Sequence, residues 1–245
     1  MEKNLLKLES RPIFSEPHWR LNFFGNQPEL DIGFLGGNID AAYEAIISTF
    51  GTKTPLVILD SRHRKDNISV FLAGKLRGVH APQADAVIIE KQKISMCAFY
   101  EDCGCIVIES DNYICLAHAG RPEITAEPPL IQGILENWPE ETQMRAYIGP
   151  MISGKYYQYP DQTKEQLPYG VDTIWKGIRG LEIKKMLIDQ LIQGNIKTSD
   201  IFDCKIDPFE RRLSGDGRWA SDQYSRRYQS PPTVTHRDVG VLQIN

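Results

Sequence analysis

The chain has 245 residues, 41% of them hydrophobic and 24% charged, with a net charge of −4. That length buries a core without staples and fits one domain, taken as 1–245. The acidic balance excludes bulk binding to nucleic acid or to anionic membranes, which needs a basic surface. No run reaches the roughly 18 apolar residues of a spanning helix.

Residues 1–11 are charged and have no long apolar core, so they do not read as a signal peptide, and a cytoplasmic protein is expected. Residues 39–51 carry apolar positions at helical spacing, with Asn38 as N-cap and Gly51 as C-cap. The run 56–59 reads as a buried strand, and 85–89 and 94–100 as two more. Residues 105–108 and 113–117 form a hairpin around Ser110, Asp111 and Asn112. A short strand follows at 146–150. The polar, turn-rich stretch 160–170 is a loop or lid. Leu181, Ile183, Met186, Leu187, Leu191 and Ile192 mark an amphipathic helix closed by Gly194. After Cys204 the chain is rich in arginine and turns, and 239–244 is a terminal strand. Strands outnumber long helices, so the fold class is α/β or mixed α+β, one domain with a central mixed sheet core flanked by helices.

The chemistry gathers at the ends of apolar runs, where loops and functional groups sit. His63 follows 56–59, Cys103 follows 94–100, and His118 lies in the run before Gly120. Two imidazoles and one thiolate suit zinc and leave a fourth tetrahedral position open. His80 rivals His63 for this role, and Cys105 rivals Cys103. The apolar strand before His63 and its distance to Cys103 favour His63, and Asp102 as neighbour favours Cys103. Strand alternation places Cys103 and Cys105 on one face. The five cysteines are odd in number and irregular in spacing, which reads as free thiols, with Cys97 and Cys115 in the core. His18 and His236 read as structural or exposed, and the Arg226-Arg227 pair is by default solvated. Without a metal, Cys103 and His118 would be a nucleophile and its base, the layout of a cysteine hydrolase or deamidase.

Several segments, in order, resemble the laccase domain family, also called multicopper polyphenol oxidase-like or peptidoglycan editing factor proteins. The apolar strand ending at Arg62-His63 is similar to the family's strand ending in Gln-Val-His. Ala84-Asp85-Ala86-Val87-Ile88 is similar to its Ala-Asp-Ala/Gly-Leu-Val segment. Asp102-Cys103 matches its Asp-Cys pair, and His118-Ala119-Gly120 its His-Ala-Gly. Ile148-Gly149-Pro150-Met151-Ile152 matches Ile-Gly-Pro-x-Ile, and Ser225-Arg226-Arg227 falls on a late Ser-Tyr-Arg-Arg. The chain departs where the family continues Trp-Arg-Gly after His-Ala-Gly: here stand Arg121, Pro122 and Glu123. Ser61 replaces the family's glutamine, and 153–157 replaces a thiol-rich stretch.

The resemblance implies a laccase-domain fold of the cytotoxic necrotizing factor-like cysteine hydrolase type. It also implies a zinc site, with copper as the alternative, at His63, Cys103 and His118. The reaction implied is purine nucleoside phosphorolysis or adenosine deamination, with a nucleoside and phosphate as partners. Arg121, Arg226 and Arg227 are the candidate phosphate ligands, since guanidinium forks suit a dianion. Asp102 is the candidate supporting group or proton carrier. A diverged protein that keeps the scaffold without catalysis is the remaining alternative.

Overall fold

The computed structural model describes residues 11–24, 39–50, 54–61, 68–140, 143–216, 219, 221–228 and 238–245. Its strands are near-continuous apolar runs because most lie in sheets covered on both faces. There are two six-stranded mixed sheets. The first runs in the order β1 (Arg11–Glu16), β2 (Trp19–Phe24), β14 (Asp238–Ile244), β7 (Ile94–Tyr100), β3 (Leu56–Leu59) and β5 (Val79–His80). The second runs β13 (Ile201–Asp203), β10 (Arg145–Ile148), β8 (Gly104–Glu109), β9 (Tyr113–Ala119), β6 (Ala86–Glu90) and β4 (Val70–Ala73).

Strand alternation assigns each side chain to a layer. Val57 and Leu59 of β3 enter the core between the sheets, while Leu56 and Ile58 turn outward to α1 (Ile39–Phe50), which supplies Tyr43, Ile46 and Phe50. Val87 and Ile89 of β6 and Cys105 and Val107 of β8 meet the first sheet. Ile88, Ile106 and Ile108 face the opposite way, into a helical layer. That layer holds α2 (Arg121–Ile124), α3 (Leu130–Glu136), α4 (Ile183–Gln193) and α5 (Pro208–Leu213), followed by α6 (Asp222–Tyr228). The result is a helix, two sheets and a helical layer stacked in four, a mixed α+β arrangement.

The helix α1 and the strands β3, β6, β7, β8, β9, β10 and β14 fall where the apolar runs predict them. The caps assigned to Asn38 and Gly51 lie outside the described residues. Helix α4 buries Ile183, Met186, Leu187 and Leu191 and is capped by Gly194. It starts two residues later than the apolar pattern, because Leu181 is spent in β12 (Arg179–Leu181), paired with Gly170 of β11 (Gly170–Asp172). No helix among the described residues is long and apolar enough to cross a membrane.

Candidate active site

Three strands bring the site together. Strand β7 ends at Tyr100, residues 101–103 turn into β8, and β9 ends at Ala119 with Gly120 as the N-cap of α2. The antiparallel ladder sets Cys105 opposite His118 and Gly104 opposite Ala119. Cys103, two residues before Cys105, therefore lies on the His118 side, a diagonal neighbour across the ladder. Gly120 measures how tightly the groups converge. A methyl group there would stand 2.5 Å from Glu123 Oε2, 3.0 Å from Cys103 Sγ and 3.1 Å from His118 Cε1. The absence of a Cβ is what lets the three side chains meet.

The His118 ring is 9% exposed and stacks on Tyr100 with centroids 5.7 Å apart and planes at 18°. Its Nδ1 lies 3.6 Å from Glu123 Oε2. Burial alone lowers an imidazole pKa, but the Cys103 sulfur and the Glu123 carboxylate outweigh it, and that of His118 is pushed up to about 10. Burial also raises the Glu123 carboxyl. The His118 ring and the backbone N–H groups of Glu123 and Gly120 outweigh that, and hold it below the usual carboxylate range. Among the thiols, Cys103 is half-buried, while Cys97, Cys105 and Cys115 are sealed in the core. Burial pushes the Cys105 thiol up to about 12, even against a hydrogen bond with Tyr100, and raises Cys97 and Cys115 as well.

The rival histidine sits apart from this arrangement. His80 is on the edge strand β5, with its Nε2 2.8 Å from the carbonyl oxygen of Arg77. His18 is exposed in the β1–β2 turn. His63 lies outside the described residues, as does His236. Among the described residues no group of three or more His, Cys, Asp or Glu side chains is arranged to hold a metal ion. The donor pair that does converge, one thiol and one imidazole, suits zinc or copper.

Asp102 is buried, and both its carboxylate oxygens are engaged. Oδ1 accepts from Ser221 Oγ at 2.6 Å and Oδ2 from the Gln223 backbone N–H at 2.8 Å. Ser221 Oγ in turn accepts from the Tyr224 N–H at 3.1 Å. Asp102 thus ties the first turn of α6 to the turn that carries Cys103. Arg121 donates from Nη1 to the Tyr159 hydroxyl at 3.0 Å, with its guanidinium 4.6 Å over that ring. Tyr157 lies parallel to Tyr159, with centroids 6.3 Å apart. Burial, helped by Cys103 and Asp102, raises the pKa of the Tyr157 hydroxyl against the opposing pull of the Arg121 guanidinium. Arg227 is held by Gln223, donating from Nη1 to its carbonyl at 2.8 Å and from Nη2 to its Oε1 at 2.7 Å. The same guanidinium lies 3.8 Å over Trp175. The Arg226 side chain lies outside the described residues.

The structure therefore joins Cys103 and His118, sets Asp102 and Arg121 around them, and adds Glu123, Tyr157 and Tyr159, which sequence reasoning passed over. For Glu123 a signal exists: Gly120, Pro122 and Glu123 are an N-cap, an early proline and an acidic third residue, the opening of a helix. The two tyrosines carry no such signal, since they sit in a loop placed only by tertiary packing.

Residues 36–213 match the model of a family described as "Multi-copper polyphenol oxidoreductase laccase". Among solved structures, the chain is similar to the hypothetical protein YfiH of Bacillus licheniformis (15% identity, TM-score 0.67, 93% of each chain covered). It is also similar to YlmD of Geobacillus stearothermophilus (13%, TM-score 0.68, 96% of this chain and 100% of that one). A third is Neisseria meningitidis protein NMB0706, described under family-model DUF152 (15%, TM-score 0.64, 94% and 96%). At these identities the likeness is one of fold. No curated protein matches the chain.

Proposed function

The chain belongs to the multi-copper polyphenol oxidoreductase laccase family, and we propose that it is a zinc-dependent enzyme of purine nucleosides, a phosphorylase with adenosine deamination as a lesser activity. The observation that carries this reading is the convergence of Cys103 and His118 at Gly120, with Arg121 beside them. Cys103, His118 and, from outside the described residues, His63 would hold the metal. Bound zinc would supply Lewis acidity, worth several kcal/mol where negative charge develops. Copper is the alternative, since a thiolate with imidazoles serves either ion.

The chain's own residues do the rest. Arg121, steadied by Tyr159, keeps further N–H donors for a phosphate dianion. The family's late arginine pair, Arg226 and Arg227, serves the same anion in this reading. The parallel rings of Tyr157 and Tyr159 offer an apolar wall where the family's tryptophan is missing, and an offset-stacked purine suits such a wall. Asp102, with Ser221 and Gln223 donating to its two oxygens, holds α6 against the turn of Cys103 and acts in this reading as the site's supporting group.

The test is elemental analysis of freshly purified protein, together with a purine nucleoside panel with and without phosphate. Zinc at one per chain, and free base released only with phosphate, is the expected result. Inosine formed from adenosine without phosphate would make deamination the main reaction. Fully zinc-loaded protein that does neither would overturn the proposal. Turnover in metal-free protein that is lost on alkylating Cys103 would replace it with a thiol hydrolase.

A further inference from the structure

Two buried polar atoms at this site face each other without another partner. Among the described residues, His118 Nδ1 and Glu123 Oε2 both lack a hydrogen bond, and they stand 3.6 Å apart, just beyond hydrogen-bond length. Their side chains are 11% and 12% exposed, so water does not readily serve either one. An orphaned buried donor and an orphaned buried acceptor each carry a desolvation cost that a shared hydrogen bond removes. A shift of a few tenths of an ångström closes the contact.

The rest of the geometry makes this contact directional. Tyr100 covers one face of the His118 ring. Glu123 sits in the first turn of α2, within reach of the backbone N–H of Gly120, and so cannot swing away freely. A ring held at Nδ1 and against one face has only Nε2 left to offer.

We propose that Glu123 is the positioning residue of this site: its carboxylate accepts the Nδ1–H of His118, and so fixes the ring orientation and tautomer that present Nε2 to a metal. The inference rests on the zinc reading for what Nε2 binds, and on the structure alone for the Nδ1 contact. An imidazole whose outer N–H is held by a carboxylate is a better-aimed and more basic ligand.

The experiment compares the full chain with Glu123→Gln, Glu123→Asp and Glu123→Ala. Zinc affinity is measured by competition with a chromogenic chelator. The His118 Nδ1–H is followed by NMR in metal-free protein labelled with ¹⁵N at histidine. Gln keeps an acceptor oxygen at the same reach, Asp withdraws the carboxylate by one methylene, and Ala removes it. The expected result is an exchange-protected Nδ1–H signal in the unaltered chain and in Glu123→Gln, lost in Asp and Ala. Zinc affinity should fall about tenfold to a hundredfold in Ala and Asp and much less in Gln. Full retention of the signal and the affinity in Ala overturns the proposal. So does a Gln variant as impaired as Ala, which would make the carboxylate a direct ligand. If the unaltered chain binds no zinc, the zinc reading fails by itself, and the Nδ1–H signal still decides the role of Glu123.

Discussion

At the scale of single residues, the site depends on a missing side chain. Gly120 has φ −91° and ψ 173°, which alanine adopts without strain. Gly120→Ala should therefore fold, yet its methyl group would press on Cys103, His118 and Glu123 together. The expected outcome is a large loss of zinc affinity with a loss of stability of about 1–3 kcal/mol from overpacking, read from chelator competition and urea unfolding on the same sample. Cys103→Ala and His118→Ala should each remove most of the zinc, because water does not replace a lost ligand at equal strength. His80→Ala should leave metal content unchanged, since that ring faces the Arg77 carbonyl on an edge strand. Metal loss in His80→Ala but not in His63→Ala would move the ligand to the edge strand β5. Arg121→Ala should raise the phosphate KM about 10- to 150-fold, the equivalent of about 1.5–3 kcal/mol for a charged hydrogen bond, and the nucleoside KM less. Cys103 and His118 were legible in the sequence because each ends an apolar run. Tyr157 and Tyr159 were not, since nothing local tells a packed loop tyrosine from a solvated one.

At the scale of elements, the long apolar runs were legible and the short or polar ones were not. Strands β7, β8 and β9 are buried along nearly their whole length, and their composition says so. The hairpin β1–β2 was missed because Pro12, Glu16, Pro17 and His18 interrupt its pattern. It is held instead by pairing with the distant strand β14. Helices α5 and α6, six and seven residues long, are too short to form on propensity alone. They are held by tertiary contacts, Phe209 stacking on Tyr156 and lying edge-on to Trp175 and Tyr224. The arginine-rich stretch thus read as solvated turns when part of it is helix. For α6 the anchor is Asp102 with Ser221. Ser221→Ala removes the cap on the Tyr224 N–H and one partner of Asp102, and should cost about 1–2 kcal/mol. Limited proteolysis should then cut within α6 (222–228) earlier than in the unaltered chain. An unchanged cleavage pattern would mean that α6 is held by its aromatic contacts alone.

At the scale of the whole molecule, the fold class was legible but the doubling of the sheet was not. When both faces of a strand are buried, the period-two signal vanishes, so Leu56, Val57, Ile58 and Leu59 look alike although they serve two different layers. What locks the two sheets together is partly polar. Glu109, 3% exposed, accepts from Trp19 Nε1 of the first sheet and from the Tyr147 hydroxyl of the second, each at 3.0 Å. Lys91 at 3.0 Å and Arg145 at 3.1 Å supply the balancing charge. Burial works to raise this carboxyl, but Lys91, Trp19 and Tyr147 outweigh it and hold its pKa below the ordinary value of 4.5. A carboxyl depressed on folding adds stability above its unfolded pKa and loses it as pH falls through the folded one. Glu109→Gln leaves two cations and two donors around a neutral amide, and removing one member of a buried charged cluster costs about 3–5 kcal/mol. Urea unfolding should therefore show a deficit of that order at pH 7. The gap to the unaltered chain should narrow steadily below about pH 4.5, because the unfolded chain takes up a proton at Glu109 before the native carboxylate does, and it should level off once the native carboxylate is protonated as well. A deficit that stays constant down to pH 3 would mean that the loss is one of packing, and that the charge of Glu109 does not join the sheets.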